Sequence, residues 1–461
     1  MTIWHPDPAL LRRPAFLSLA DQYARAIGQG QLPAGTRLPP QRKLADDLGL
    51  SVQTVSRAYD ELIRRGLIVG EVGRGSFVLS AGAENRPPYL AERPGELIDL
   101  SILKPVTDRM HVDLFRDGLH WIADNLTGAA ALSFRPNSVL PRHRQIAADW
   151  LRRGGIDTAP DCITISDGAT SAITTAVMSA VPPGGTLAAA ALTHHLLMPL
   201  CKYLGLHLEA LPIDDQGILP EALDALARKG NLRAVYMQPA AINPMAIMTG
   251  ENRRAALAEV ARRHDLLIVE NDMLNQMVVD RPPPMAALAP ERTLHINGFT
   301  KTTLPGLRIA WLVSPPRLAA GTANRHLVTN WMATPAMVEL LSHWILDGTV
   351  DRLIEWQREA LGVRHRIARE VLGAGAFRAH PQSLHVWMEL PPGRDEEEFV
   401  AQARQRGVAI ASGRAFRLGE RDRREAVRIA LGSTGTEELR RGLSLISDTL
   451  GSNAEPLLPL V

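Results

Sequence analysis

Cysteine is almost missing from this chain. Cys162 and Cys201 are the only two in 461 residues, and neither a disulfide framework nor a zinc spacing can be built from them. Charge imbalance is missing as well: the net charge of +2 does not by itself mark a binder of polyanions. Long apolar runs are absent. The alanine-rich patch Leu187–Leu192 is far too short to span a bilayer. The start, Met-Thr-Ile-Trp-His-Pro-Asp-Pro, lacks the charged segment and apolar run of a secretory leader. With no internal repeat and no low-complexity tract, a globular cytoplasmic protein without a membrane partner is expected.

What is present is an ordinary globular composition, 46% hydrophobic and 22% charged, in a chain too long for one core. The charge is unevenly spread. Residues 1–80 hold ten Lys/Arg against seven Asp/Glu, and the remainder 41 against 42. The Pro-, Gly- and Ala-rich stretch from Ser80, Ser-Ala-Gly-Ala-Glu-Asn-Arg-Pro-Pro, has no apolar periodicity and reads as a semi-extended linker. The expected division is therefore a small domain at 13–79, a linker at 80–96 and a large domain at 97–450.

In the small domain, helical apolar spacing over Ala15–Gln29 is followed by an extended turn, Gly35-Thr-Arg-Leu-Pro-Pro40. Gln41–Leu48 then reads as a short helix ended by Gly49, and Ser51 is placed to cap a helix over Val52–Arg65. Two helices joined by so tight a glycine turn match helix-turn-helix geometry. Gly66–Val78 reads as a two-stranded wing with a Gly-Arg-Gly tip. In that geometry Ser51, Gln53, Thr54 and Arg57 lie at the start of the helix that enters the major groove. Arg42 is placed to grip phosphate and Arg74 to probe the minor groove or backbone.

Beyond the linker, short apolar runs alternate with helical patterns. Strands are expected at Cys162–Ser166, Arg233–Met237, Leu266–Glu270, Thr293–Asn297 and Leu307–Val313, with helices at about Thr170–Val181 and Arg253–His264. Such alternation implies an α/β domain with a mostly parallel sheet covered by helices on both faces. His385–Leu390 and Ala426–Ala430 fall in a smaller C-terminal α/β lobe.

The most informative segment is Asn297-Gly-Phe-Thr-Lys-Thr-Thr-Leu-Pro-Gly-Leu-Arg308. A lysine held in a dry cleft loses its proton and condenses with an aldehyde, and a fixed arginine nearby holds that aldehyde's phosphate. Lys301 and Arg308 have that logic, the logic of a pyridoxal phosphate site. Gly168-Ala169-Thr170, at a strand–helix junction, supplies backbone N–H groups and a hydroxyl for the same phosphate, with Thr300 adding another contact. Asp167 beside them is expected to point away from the anion. The cofactor's ring nitrogen needs an acid partner, for which Asp272 is the candidate and Glu270 the runner-up. Asn243, in Gln238-Pro-Ala-Ala-Ile-Asn-Pro244, offers a donor for the cofactor's O3′.

Both halves resemble known families. Leu38-Pro-Pro-Gln-Arg-Lys-Leu-Ala45, Ser51-Val-Gln-Thr-Val-Ser-Arg-Ala-Tyr59 and Gly73-Arg-Gly-Ser-Phe-Val78 closely resemble the winged helix-turn-helix of GntR-type bacterial regulators. The lysine segment resembles the Ser-x-Ser-Lys…Pro-Gly-Leu-Arg signature of fold-type I aminotransferases, and that likeness extends from about Ile98 to Leu450. Together they look like a MocR/GabR-type transcriptional regulator. The resemblance implies that His194 stacks on the cofactor ring where an aromatic is usual, and that Arg428 binds an effector's α-carboxylate. It also implies a homodimer reading double-stranded operator DNA.

Three departures from the aminotransferase pattern bear on function. The tyrosine that usually follows the ring-nitrogen aspartate and donates to O3′ is replaced in the stretch Met273-Leu-Asn275. The Asn-Pro-Thr-Gly-like element has become Asn243-Pro-Met-Ala246, and Gly298 replaces a serine that often touches the phosphate. The lysine, arginine and aspartate survive, so cofactor binding is expected to persist while transamination, which demands tighter placement, suffers. The expected function is a regulator that senses an amino compound, or pyridoxal phosphate itself, by aldimine exchange at Lys301. The alternative is an active aminotransferase with an appended DNA-binding domain.

Overall fold

The computed structural model describes residues 4–29, 31–33, 35–64, 67–71, 75–78, 97–132, 141–419 and 424–451. The chain separates into two compact units, Met1–Arg93 and Pro94–Val461. The expected linker at 80–96 lies outside the described residues.

The first unit is built on helices α1 (Ala15–Gly28), α2 (Gln41–Leu48) and α3 (Val52–Arg64). Leu19, Tyr23, Leu44, Val55, Tyr59 and Leu62 recur at helical spacing and are buried together, which is what locks three short helices into one body. The turn between α2 and α3 is made by Gly49, in the left-handed region at φ 63°. Its N–H bonds to Asp46 O and the next N–H, that of Leu50, to Ala45 O, a Schellman closure that a side chain would strain. Ser51 Oγ accepts the Thr54 N–H at 3.1 Å and caps α3 as the sequence implies. Strands β1 (Ile68–Glu71) and β2 (Gly75–Val78) pair antiparallel to form the wing. Residues 72–74 of its tip are outside the described residues.

The second unit carries a seven-stranded sheet. Its strands are β3 (Ile163–Ser166), β4 (Thr186–Ala190), β5 (His207–Leu211), β6 (Leu232–Met237), β7 (Leu267–Asp272), β8 (Thr293–Gly298) and β9 (Ala310–Val313). The order across the sheet is β3-β9-β8-β7-β6-β4-β5. All neighbouring pairs are parallel except those made by β9, which runs against both β8 and β3. Alternate residues of each strand enter different cores: Leu187, Ala189 and Tyr236 face one helical layer, and Ala188, Ala190 and Val235 the other. Both faces are covered, as a parallel sheet requires. Among the described residues no helix is long and apolar enough to cross a membrane.

A second, antiparallel sheet is formed by β10 (His385–Glu389), β11 (Ala411–Ser412) and β12 (Ala426–Ala430), in the order β10-β12-β11. Two sequence expectations shift here. The run Leu307–Val313 enters the sheet only at Ala310, because Pro305–Leu307 forms a 3-10 turn and Arg308 adopts a left-handed φ of 52°. Strand β7 extends to Asp272, which makes that carboxylate the strand's last residue.

Candidate functional site

Register places the candidate residues before any side chain is considered. Asp272 pairs with Asn297, Gly298 with Ala310, and Ala310 with Ser166. The ends of β7, β8 and β3 and the start of β9 therefore lie side by side at one edge of the sheet. Ligand sites of α/β sheets form outside the carboxyl ends of the strands. Gly168, Lys301 and Arg308 are all within a few residues of that edge.

Lys301 follows β8 through a turn closed by the Phe299 carbonyl, which accepts the N–H groups of Thr302 and Thr303. Its Nζ donates to the Leu103 carbonyl. Burial lowers the amine's pKa from 10.5 to about 8, with the Arg428 and Arg308 charges adding to the effect. A sizeable fraction of neutral amine is therefore present near neutral pH. Beside it the Thr300 hydroxyl is buried with no hydrogen-bond partner among the described residues.

Arg308 is turned by its left-handed backbone onto Gly168. A Cβ built on Gly168 would lie 3.0 Å from both Cζ and Nη2 of Arg308, and Gly168 itself has φ 84°. The backbone conformation demands glycine, and a side chain there would press on the Arg308 guanidinium. Gly168 precedes helix α4 (Ala169–Ala180), whose N-terminus has no side-chain cap. The first-turn N–H groups, including those of Ala169 and Thr170, have no intrahelical acceptor, and the Ser171 hydroxyl is buried without a partner among the described residues. An uncapped helix start facing a guanidinium is an anion cradle. Burial raises the pKa of the Asp167 carboxyl, opposed by the Thr334 backbone N–H and by the Arg308 charge.

Asp272 is 2% exposed and forms an ion pair with Arg281, a partner that sequence reasoning missed. Glu270, the alternative acid, is fully committed. It accepts the N–H groups of Met285 at 2.8 Å and Ala286 at 3.0 Å, and pairs with His295 Nδ1 at 2.8 Å. Glu270 caps the short helix Met285–Leu288, which leaves Asp272 as the acid at the strand end. Asn271, on the other face of β7, donates to Tyr236 Oη at 2.7 Å.

Two of the sequence departures touch one another. A side chain at position 298 would run into the Met273 methyl, with the Met273 sulfur 3.2 Å from the added Cβ. The Met273 side chain occupies the space beside Gly298 that a serine would enter. Gly298→Ser is expected to destabilise the protein by about 1 kcal/mol, the low end for overpacking a filled site, because the Met273 methyl is the far end of a flexible side chain. A second change, Met273→Ala, should recover most of it; thermal unfolding of the single and double variants checks this.

Arg428 lies on β12, the central strand of the small sheet, cross-paired to Trp387 and Ala411. The edge-strand position that would make it an ordinary paired surface arginine is therefore ruled out. Its Nη1 donates to Asn243 Oδ1 at 2.8 Å and its Nη2 to Ser101 O at 2.6 Å. The guanidinium sits 4.6 Å from the Phe416 ring centroid, and burial lowers its pKa to about 10. His194 is pushed down to about 3 by burial, then by His195, Lys301 and Arg428, and is neutral at physiological pH. Its Nδ1 is buried with no partner among the described residues. The structure thus brings Lys301, Arg308, Gly168, Arg428, Asn243 and His194 into one positively charged cluster, with Asp272 at the neighbouring strand end.

In the first unit, Arg42, Gln53 and Arg57 are exposed and Ser51 and Thr54 stand at the start of α3. The Arg57 guanidinium lies 4.0 Å from the Phe16 ring centroid. Arg74 lies outside the described residues.

Residues 18–78 match the gntR family of bacterial regulatory proteins. Over 96% of both chains, the protein is 26% identical to the uncharacterized HTH-type transcriptional regulator YdeF of Bacillus subtilis. It is also 26% identical to the HTH-type transcriptional regulator TauR of Rhodobacter capsulatus, over 94% of this chain and 96% of that one. Among solved structures, a kynurenine aminotransferase of Pyrococcus horikoshii in complex with PMP superposes with a TM-score of 0.69 at 21% identity, covering 77% of this chain and 91% of that one. The chain thus joins a GntR helix-turn-helix domain to an aminotransferase fold, and its full-length relatives are named transcriptional regulators.

Proposed function

We propose that this chain is a MocR-type regulator whose aminotransferase-like domain, within 97–450, binds pyridoxal phosphate and senses an amino compound, while its 13–79 domain binds operator DNA. The observation that carries the reading is Lys301, a buried amine held near pKa 8 between an anion cradle and a buried arginine. The Ser171 and Thr300 hydroxyls, without partners among the described residues, the uncapped start of α4 and the close approach of Arg308 to Gly168 all suit a phosphate. Gly168, Ala169, Thr170, Thr300 and Arg308 would hold that phosphate. Asp272 would face the ring nitrogen, Asn243 the O3′ and His194 the ring face. Bound there, pyridoxal phosphate supplies an aldehyde that condenses reversibly with primary amines.

Lys301 provides the resident amine, and an incoming amino compound competes for its place. Arg428 pairs with the newcomer's carboxylate; a planar guanidinium suits that group. The effector shifts an equilibrium between domain arrangements only by as much as it binds them differently. A homodimer in the cytoplasm presents two winged domains to paired half-sites. Arg42, Ser51, Gln53, Thr54, Arg57 and Arg74 supply the DNA contacts.

The test is the pH dependence of loading. Only the neutral amine condenses, and its pKa is lowered to about 8. The observed rate at which stripped protein develops visible absorbance with pyridoxal phosphate should rise through pH 8 and level off above it. A rise centred near pH 10.5, or no absorbance at any pH, would remove Lys301 from the site. The second reading, an active aminotransferase, is favoured by the fold it shares with the kynurenine aminotransferase. Sustained keto-acid formation from amino acids would establish it.

A further inference from the structure

The first turn of α3 carries an apolar side chain where an exposed one is not needed for folding. Val52 is 44% exposed, whereas the face of α3 that packs into the unit is supplied by Val55, Ala58, Tyr59 and Leu62. Beside it Gln53 is exposed and its amide makes no hydrogen bond among the described residues. The other polar groups at the start of α3 also have partners within the unit. The Ser51 and Thr54 hydroxyls lie 2.8 Å apart, bonded to each other, and Ser51 also caps the helix. The Arg57 guanidinium lies over the Phe16 ring and, exposed one turn further on, keeps its N–H groups for phosphate. Residues 51–56, Ser-Val-Gln-Thr-Val-Ser, contain no charged residue at all.

That surface has a definite complement. Guanine is read chiefly by bidentate arginine or lysine, and this turn offers neither. Adenine is read by a bidentate amide through its N6 and N7, and the thymine C5-methyl by an apolar contact. We infer that the tip of α3 selects an A·T base pair in the major groove, with Gln53 engaging adenine and Val52 packing on a thymine methyl of that pair or the next. The assignment rests on the DNA-binding function proposed above and specifies the bases it reads. Val52 adds no attraction for phosphate, so its contribution is to discrimination and not to general affinity.

The experiment uses the full chain. Duplexes retained from a random library define a site, and each thymine in it is then replaced singly by deoxyuridine, which removes only the methyl. At one thymine per half-site, uracil should weaken binding by about fourfold, the worth of one buried methyl-sized group. The same substitution should have no effect on Val52→Ala. Replacing one nearby adenine by 7-deazaadenine should cost about tenfold in the wild type, within the range for a bidentate pair, and nothing in Gln53→Ala. Both side chains are exposed, so the variants should keep the wild-type circular dichroism. If uracil is tolerated everywhere, or if its penalty persists in Val52→Ala, the inference fails while DNA binding stands. If no duplex is retained, DNA binding fails and the base assignment falls with it.

Discussion

Lys301→Ala is expected to abolish the visible absorbance of protein treated with pyridoxal phosphate, at every pH, and to leave the fold in place. The amine is the only group of the cluster that can bond to an aldehyde, since Arg308 and Arg428 carry guanidinium groups and His194 an imidazole, none of them a primary amine. The fold should tolerate the change. The Leu103 carbonyl loses its donor, which costs about 1 kcal/mol, but an amine whose charged form burial disfavours is removed at the same time. Equilibrium unfolding should therefore move little. Phosphate affinity should survive in part, because Arg308 and the start of α4 are untouched. Retained absorbance in Lys301→Ala would mean that another lysine bonds to the cofactor.

Arg428→Met should weaken binding of a carboxylate-bearing amino effector by about 100-fold or more, the effect of truncating one partner of a buried, hydrogen-bonded charge pair. An amine of the same skeleton without the carboxylate should lose far less. That contrast separates effector binding from a structural role. Arg428 also holds Asn243 and the Ser101 carbonyl, so its removal disturbs the link between the small sheet and the Asn243 loop. Arg428→Lys keeps the charge but not the planar fork and should fall between the two. Equal losses for both ligands, measured by calorimetry on the loaded protein, would show that Arg428 serves packing alone.

The parts of this architecture that depend on neighbouring residues were legible in the sequence. Gly49 ending one helix and Ser51 capping the next are local events, and both stand as their chemistry dictates. Lys301 and Arg308 were legible because one short segment carries both. The strand boundary at Ala310 was less so, since apolar pattern alone cannot tell a strand from the turn that aims Arg308. Contacts between distant segments were invisible. Arg281 reaches Asp272 from the following loop, and Glu270 is neutralised as a candidate by His295 on the adjacent strand and by a helix 15 residues on. Gly298 and Met273 were each visible as departures, but their complementarity appears only when β7 and β8 lie side by side. The contacts of Ser51, Thr54 and Arg57 within the unit likewise appear only in the folded structure.

The central claim is that amine chemistry at Lys301 is coupled to DNA binding. It is tested most directly by titrating operator affinity against a panel of amines and amino acids, with and without pyridoxal phosphate, in the wild type and Lys301→Ala, while assaying keto acid. The account predicts that at least one amino compound changes wild-type affinity by about fivefold or more, the lower end of allosteric coupling. The change should require pyridoxal phosphate, vanish in Lys301→Ala and proceed without sustained keto-acid formation. An operator affinity indifferent to every amine, or an equal response in Lys301→Ala, would contradict it.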